Sequence, residues 1–553
     1  MSQHKPAAGG RPGGNLVPNT LSGPRNAARE VWVEMPAREG APAAWCYSDR
    51  RAYRSGDEVV LYLSANVADV SIRIYRDTIE PDVVHVSAAM PATFQPVPER
   101  AYEVGCDWPE FLRWRIPADL PSGGYIVEIS AVNGIDGTPS GTVIGHHFFV
   151  VRSKAPAPGT MALVLATSTW AAYNDWGGAN HYYGLNTPNP RGRSPILAAN
   201  RPWARGQIWL PEGAPRAVNA RRPTRPGPAR YETIEWAFLH GFTKYYSFAG
   251  WASHERPFLH WAEREGYAFD LLTQDDLHAE PGALDAYACT VFVGHDEYWS
   301  LDMRQAVDAY VDAGGKVARF AGNFLWQIRL EADAQRQVAY KYDARTLDPQ
   351  SRLDPIPPTL TSAWEDPLVG YPGAATFGVN ALRGVYAGFG GMASRAARGF
   401  NVFRPGHWSF AGTGLGYADM FGDEANIFGY EMDGLDYTFV DGLPVPTGTD
   451  GAPAGLEILA MGWATLAEAG RPEDAYSFML GDGDARYRDT LMGDGSAESL
   501  ARNSRGSGMV VHFKRGAGEV YTAGTCEWVN GLIQRDVYTE TITRNVLDRF
   551  SKR

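Results

Sequence analysis

The stretch that decides the fold reads CTVFVG (289–294), HDEYW (295–299), SLDMRQAVDAYVDAGG (300–315) and KVARFAG (316–322). CTVFVG is a short unbroken apolar run, as expected of a strand buried on both faces. In the following segment Met303, Val307, Tyr310 and Val311 share one helical face. Ser300 is placed to cap the start of that helix, and Gly314 or Gly315 to end it. KVARFAG reads as the next strand. Strand, helix and strand in this order predict a mostly parallel sheet covered on both faces.

The same alternation extends upstream. MALVLAT (161–167) reads as another buried strand. RPFLHWAEREGY (256–267) reads as a helix with Pro257 in its first turn and Gly266 closing it. AFDLLT (268–273) is a strand followed by a short acidic connection. From about 330 to 553, many glycines and short runs such as MVVHFKR and EVYTAGT predict β-rich insertions before the chain rejoins the sheet. Ahead of the helix-incompatible stretch KAPAPG (154–159), β-rich runs recur between turn signals: VWVEM, EVVLYLSA, VSIRIYR, YIVEIS and GHHFFVV. Their spacing predicts an immunoglobulin-like β-sandwich. Residues 1–28, rich in Gly, Pro, Asn and Ser, are expected to form a flexible arm or a strap on a neighbouring subunit. The expected division is therefore an arm at 1–28, a sandwich at 29–153, a linker at 154–160 and an α/β domain at 161–553. The fold class is α/β plus all-β.

A chain of 553 residues exceeds the ~250–300 at which single cores stop growing, so more than one packed unit is expected. Hydrophobic residues at 44% and charged residues at 21% describe a folded globular protein. The net charge of -12 leaves no basic footprint for a phosphate backbone, and prolines break up the Arg-rich stretch 216–230. Nucleic acid is excluded as a partner on those grounds. The N-terminus lacks the apolar run of a signal peptide, and no window approaches ~18 apolar residues, so a cytoplasmic protein that does not span a membrane is expected. Cys46, Cys106, Cys289 and Cys526 are far apart with no CxxC pairing, which predicts buried thiols rather than disulfides or a thiolate zinc site. The 17 Trp and 27 Tyr are unusual, and such residues fill cores and line pockets and subunit contacts.

In open parallel sheets ligands bind beyond the carboxyl ends of the strands, which is where His295, Asp296, Glu297 and Tyr298 begin. There is no G-x-S-x-G and no cysteine at this turn, so covalent catalysis by Ser or Cys is disfavoured there. His moves protons near neutrality, Asp and Glu ligate cations or act as bases, and Tyr binds a hard trivalent metal as tyrosinate. The same acidic residues also suit helix capping. A second cluster leaves the end of strand 161–167 in the same direction. There Trp170, Tyr173, Asn174 and Trp176, followed by His181, Tyr182 and Tyr183, suit either a substrate-binding aromatic wall or a plug under a loop. Asn323 follows strand 316–322 at the same edge and can orient a carbonyl, although Gly-Asn also makes turns. His407, Glu431 and His254 are the remaining candidates, each beside aromatic or helix-start residues.

GHDEYWS (294–300), WAAYNDWGGANHYY (170–183), ERPFLHWAEREGYAFDLLTQDDL (255–277) and the GN-x-x-W pattern at 322–326 together resemble the large subunit of N,N-dimethylformamidase. The resemblance covers roughly 160 to the C-terminus. It implies an α/β domain similar to class I glutamine amidotransferases, without their cysteine, preceded by an immunoglobulin-like domain. It further implies hydrolysis of a small amide at a mononuclear ferric iron held by two tyrosines and a glutamate. Tyr298 matches the tyrosine of the HDEYW motif. At the second tyrosine's place the chain offers His254 or the more distant Tyr246. The stretch matching the family's glutamate reads AGFGG (387–391), which leaves Glu431 or His407 to complete the metal set. His295, Asp296, Glu297, Asn323 and His407 are then the catalytic candidates, with Glu297 or His407 moving the proton of a metal-activated water. A homo-oligomer, with or without a small partner subunit, is the expected assembly. Two rival readings are a metal-independent hydrolase using His295 and Asp296, and a non-catalytic binding protein with an aromatic crevice.

Overall fold

The computed structural model describes residues 16–19, 31–34, 36–132, 140–184, 192–216, 220–221, 230–384, 399–429, 431–465, 483–503 and 505–552. Ahead of residue 153 the strands alternate inward and outward positions, as in Asp69–Arg76, where Val70, Ile72 and Ile74 are buried. Two sheets result. Ala44–Ser48, Glu58–Ala65 and Glu110–Arg115 form one, antiparallel throughout. Ala52–Arg54, Val143–Arg152, Gly123–Ala131, Asp69–Arg76 and Asp82–Val86 form the other, in that order, with Met90–Pro91 also paired to Asp69–Arg76. Leu61, Leu63, Ile72, Val127 and Phe149 belong to the core enclosed between them. Within the stretch expected as an arm, Leu16–Asn19 pairs antiparallel with Val31–Glu34. The remainder of 1–28 lies outside the described residues.

After the connection at 153–160 comes a nine-stranded sheet. Its strands are β1 (Met161–Leu165), β2 (Phe269–Thr273), β3 (Cys289–His295), β5 (Lys316–Gly322), β7 (Phe400–Val402), β8 (Met420–Phe421), β9 (Glu457–Thr465), β10 (Arg505–Arg515) and β11 (Gly518–Ala523). The spatial order is β2-β1-β3-β5-β11-β10-β9-β7-β8. The first five are parallel; beyond them only β10 and β7 run against the rest. The sheet is thus mixed α/β, with the parallel half built from the buried runs and the antiparallel half from the β-rich C-terminal part. Because β1 and β3 are neighbours while β2 lies on the far side of β1, the order reverses between β1 and β3. In such sheets that reversal opens a crevice at the carboxyl ends.

Two local departures from expectation bear on the site. The acidic connection after β2 is a helix, α3 (Gln274–Ala279), because Asp276 accepts from the Thr273 backbone N–H at 2.8 Å and closes a capping box. The helix after β3, α4 (Leu301–Asp312), starts at the expected cap, but the chain does not turn straight into it. Its N-cap is Ser300, whose side chain accepts from the Met303 N–H. Between β3 and α4 lies a separate short strand, β4 (Tyr298–Ser300), which pairs in parallel with β6 (Trp326–Glu331) in register Tyr298↔Trp326. The chain leaves the main sheet at residue 296, and β6 supplies the backbone partners that β4 would otherwise lack. Of the earlier helices, α1 (Thr167–Tyr173) follows β1 directly and α2 (Glu255–Arg264) packs near β3.

Candidate active site

Parallel pairing in register His295↔Gly322 brings the ends of β3 and β5 side by side. Gly294 has φ 76°, and a Cβ there would lie 2.4 Å from the Cβ of His254, so only glycine fits this bend. His295 then turns into the crevice. Its Nδ1 is 2.8 Å from the Phe248 carbonyl oxygen, which leaves Nε2 2.8 Å from Glu431 Oε2 and 3.3 Å from Glu297 Oε2. Asn323, at φ 64°, donates from Nδ2 to Glu431 at 2.7 Å. Asp433 holds that turn by accepting from the Asn323 N–H at 2.7 Å and from Arg319 at 2.8 Å.

Glu297 faces the segment after β1. Tyr173 donates to it at 2.9 Å and Tyr182 at 2.7 Å, and Tyr298 donates in turn to the Tyr182 hydroxyl at 2.7 Å. Thr169 Oγ1 accepts from the Glu297 N–H at 2.9 Å and the Tyr298 N–H at 3.3 Å. The two strand-end loops that flank the crevice are therefore bonded to each other through α1. Tyr173, Tyr182, Tyr245 and Phe248 form an aromatic wall, with the Tyr173 ring 5.2 Å from the His295 ring. Lys341 Nζ lies 3.3 Å from the ring centre of Tyr182 and 5.4 Å from that of Tyr298.

The groups are buried, so their charges govern one another. Burial alone would strip the proton from His295, but the Glu431 and Glu297 carboxylates outweigh it and hold the imidazolium up to about 10. For Glu431 burial dominates, against His295 and the Asn323 amide, and pushes the carboxyl up to about 7. Glu297 is also opposed by burial, but His295, Lys341 and the Tyr182 hydroxyl together keep it below the usual carboxylate range. Burial raises the Tyr182 and Tyr298 phenols well above their ordinary value, so both are hydroxyl donors as they stand. One cation between two unequal carboxylates leaves Glu431 as the one able to exchange a proton near neutrality.

The structure gathers His295, Glu297, Tyr298, Asn323, Glu431 and Tyr173 from the sequence candidates. It separates the others. Asp296 points away, accepting from Trp299 Nε1 at 2.8 Å and Gln274 at 3.2 Å, with Arg319 at 3.5 Å; it braces the turn and makes no pair with His295. His254 has Nε2 3.1 Å from the Phe248 carbonyl and Nδ1 3.2 Å from Arg216, so it backs His295 rather than joining Tyr298 and Glu431. His407 has Nε2 against His512 at 3.2 Å and belongs to a different cluster on β10. Trp170 donates to buried Glu255 at 3.0 Å. Asn174 accepts from the Trp176 and Ala204 N–H groups, and Trp176 packs on Trp108 of the sandwich. These three organise the loop from behind and do not line the crevice. Tyr246 donates to the Pro215 carbonyl and is likewise outside it. The stretch 387–391 lies outside the described residues.

Three residues at the site are not singled out as site residues in the sequence. Tyr182 sits in the aromatic stretch, but nothing in spacing singles it out from Tyr183. Lys341 reaches the site from a left-handed backbone position, φ 58°, far along the chain. Cys526 is buried, and its Sγ, a His295 nitrogen and a Glu431 oxygen all lie within 4.8 Å of one another. Two donor sets thus overlap here: hard oxygens from Tyr182, Tyr298 and Glu297, and a mixed set from His295, Glu431 and Cys526. Among the described residues no helix is long and apolar enough to cross a membrane.

No curated protein matches the chain. A family model described as N,N-dimethylformamidase beta subunit-like, C-terminal, matches residues 72–540, beginning inside the sandwich strand Asp69–Arg76 and running through the crevice to the last helix. The chain belongs to the family of N,N-dimethylformamidase beta subunit-like C-terminal regions.

Proposed function

We propose that the chain hydrolyses the carbon–nitrogen bond of a small amide at the His295–Glu297–Glu431 cluster. The observation that carries this reading is one buried imidazole with carboxylates at 2.8 and 3.3 Å, set beside phenol hydroxyls in the crevice between β1 and β3. Family membership supports the reaction class. Glu431, pushed up to about 7, takes a proton from the attacking water and returns it to the leaving amine. The His295 imidazolium donates to the amide oxygen as it gains charge, joined by the Tyr182 and Tyr298 hydroxyls where no metal is held. The wall of Tyr173, Tyr182 and Phe248 keeps competing water away from those donors.

The donor chemistry fits a hard trivalent cation. The Tyr182 hydroxyl oxygen is 2.7 Å from both Glu297 and the Tyr298 hydroxyl, and these three residues would hold a ferric iron. Such an ion supplies Lewis-acid polarisation of the amide oxygen and a lowered pKa for bound water. The iron reading is tested by metal analysis with a visible spectrum. Tyrosinate on ferric iron colours the protein, and Tyr298→Phe removes both colour and metal. A colourless, iron-free preparation that turns over an amide in a substrate panel overturns it.

One observation favours a second reading. The positive charges of His295 and Lys341 already match the negative charges of Glu297 and Glu431, so the site is balanced without a metal. A metal-independent hydrolase would then use His295 with Glu431, in place of Asp296. It predicts full activity after exhaustive chelation.

A further inference from the structure

His407, His512 and Glu457 converge away from the crevice, on the antiparallel half of the sheet. Glu457 on β9 and His512 on β10 are directly paired across the ladder, and His407 comes from the connection between β7 and β8. One nitrogen of each histidine and one Glu457 oxygen lie within 4.8 Å of one another. The two rings face each other, His407 Nε2 to His512 Nδ1, at 3.2 Å. Two nitrogens bound to one tetrahedral zinc at ~2.0–2.1 Å are themselves about 3.3 Å apart. The rings are therefore already spaced to share a metal in place of a proton.

One ring has the outer partner that metal-ligating histidines use, and the other is fixed by a helix-cap bond. His512 Nε2 is 3.1 Å from Glu519, which fixes the proton there and turns the Nδ1 lone pair toward His407. Arg549 pins Glu519 at 3.3 Å and lies over the Trp408 ring. His407 Nδ1 accepts from the Ser409 N–H at 3.3 Å and lies 2.9 Å from the Ser409 hydroxyl, so the ring is held from the side away from His512. Glu457 is contacted only loosely by Arg404, at 3.9 Å, and its side chain is 47% exposed, so its carboxylate is free to swing onto a cation.

We propose that His407, His512 and Glu457 form a second metal site, selective for a borderline divalent ion such as zinc, that staples β9, β10 and the 400–410 connection beneath the C-terminal helix. His407 and Glu457 reach it from solvent, and a water completes the fourth position. This inference does not depend on the amide-hydrolase reading.

The test is calorimetric titration of the chelated full-length protein with zinc, repeated with cobalt to read the visible bands of the low-symmetry ion. Tyr298→Phe combined with Cys526→Ala is the background in which neither donor set of the crevice is complete. One zinc equivalent is expected in that background, lost in His407→Ala and weakened roughly 10–100-fold in Glu519→Gln. Glu457→Gln, a half-exposed position that leaves the fold intact, also weakens binding and removes the zinc-dependent rise in Tm. Absence of zinc binding, or equal binding in the parent and in both His407→Ala and Glu457→Gln, overturns the proposal.

Discussion

At the scale of single residues the site is a proton-sharing problem. His295 sits at about 10, above its ordinary 6.5, so its contribution to stability is complete below about 6.5 and is lost as pH rises through about 10. Glu431, raised from 4.5 to about 7, adds a penalty that grows as pH rises through that range. The two slopes have the same sign, so Tm should fall steadily from about pH 6 to about pH 10. Glu431→Gln removes the nearer carboxylate, and its Tm profile should be flatter over the same span; an unchanged slope would refute the pairing. The same variant should lower kcat roughly 10²–10⁴-fold, as loss of a general base does, with the protein still folded by circular dichroism. Sequence alone reached His295, Glu297, Tyr298, Asn323 and Glu431 because each follows a recognisable strand end or aromatic flank. It put Tyr182 in a candidate aromatic wall but not on Glu297, since a phenol 115 positions away meets that carboxylate only through the packed loops, and it did not reach Lys341. It misplaced Asp296 for a physical reason: neighbouring side chains at a strand end alternate sides, and Asp296 follows the side that carries Arg319.

At the scale of elements, two turns aim the chemistry. The bend at Gly294 lets β3 pass His254 and still present His295. Gly294→Ala would place a methyl 2.4 Å from the His254 Cβ at φ 76°, and the combined clash and strain should cost about 2–4 kcal/mol in urea unfolding, with a matching loss of activity. The Ser300 cap of α4 is the gentler counterpart. Ser300→Ala removes the acceptor for the Met303 N–H and should cost about 1 kcal/mol while leaving the amide-hydrolysing rate nearly unchanged; a large rate loss would show that β4 and α4 transmit strain to Tyr298. Apolar residues dominate the runs 161–167, 268–273, 289–294 and 316–322, which read as strands, and the structure has strands at Met161–Leu165, Phe269–Thr273, Cys289–His295 and Lys316–Gly322. Periodicity missed α3 and β4, which are short and are made by a capping box and by pairing with a distant strand rather than by local pattern.

At the scale of the molecule, the sandwich and the α/β sheet share a core. Tyr75, Ile126, Phe148 and Val150 of the sandwich pack in one cluster with Leu163, Trp251 and Phe258. Trp251 donates to Asp77 at 2.6 Å across the same boundary. Beside it, Arg152 at the end of the last sandwich strand pairs with Asp276 of α3 at 2.7 Å and Glu280 at 3.0 Å, both sides of the Asp276 pair being about nine-tenths buried. Burial alone would push Asp276 up, and Arg152 is the charge that opposes it. Removing one partner of such a pair leaves a buried charge uncompensated, at a cost of about 3–5 kcal/mol. Arg152→Ala should therefore destabilise both parts together. Scanning calorimetry should show a single transition for the parent and a single, lower one for the variant, because the apolar boundary couples the sandwich to the sheet. Two separated transitions, with the α/β part melting unchanged, would mean that the boundary is a weak contact between independent units. Helix α3, which carries Asp276, follows β2, the neighbour of β1, so a docking contact on the sandwich side bears directly on the sheet edge that frames His295.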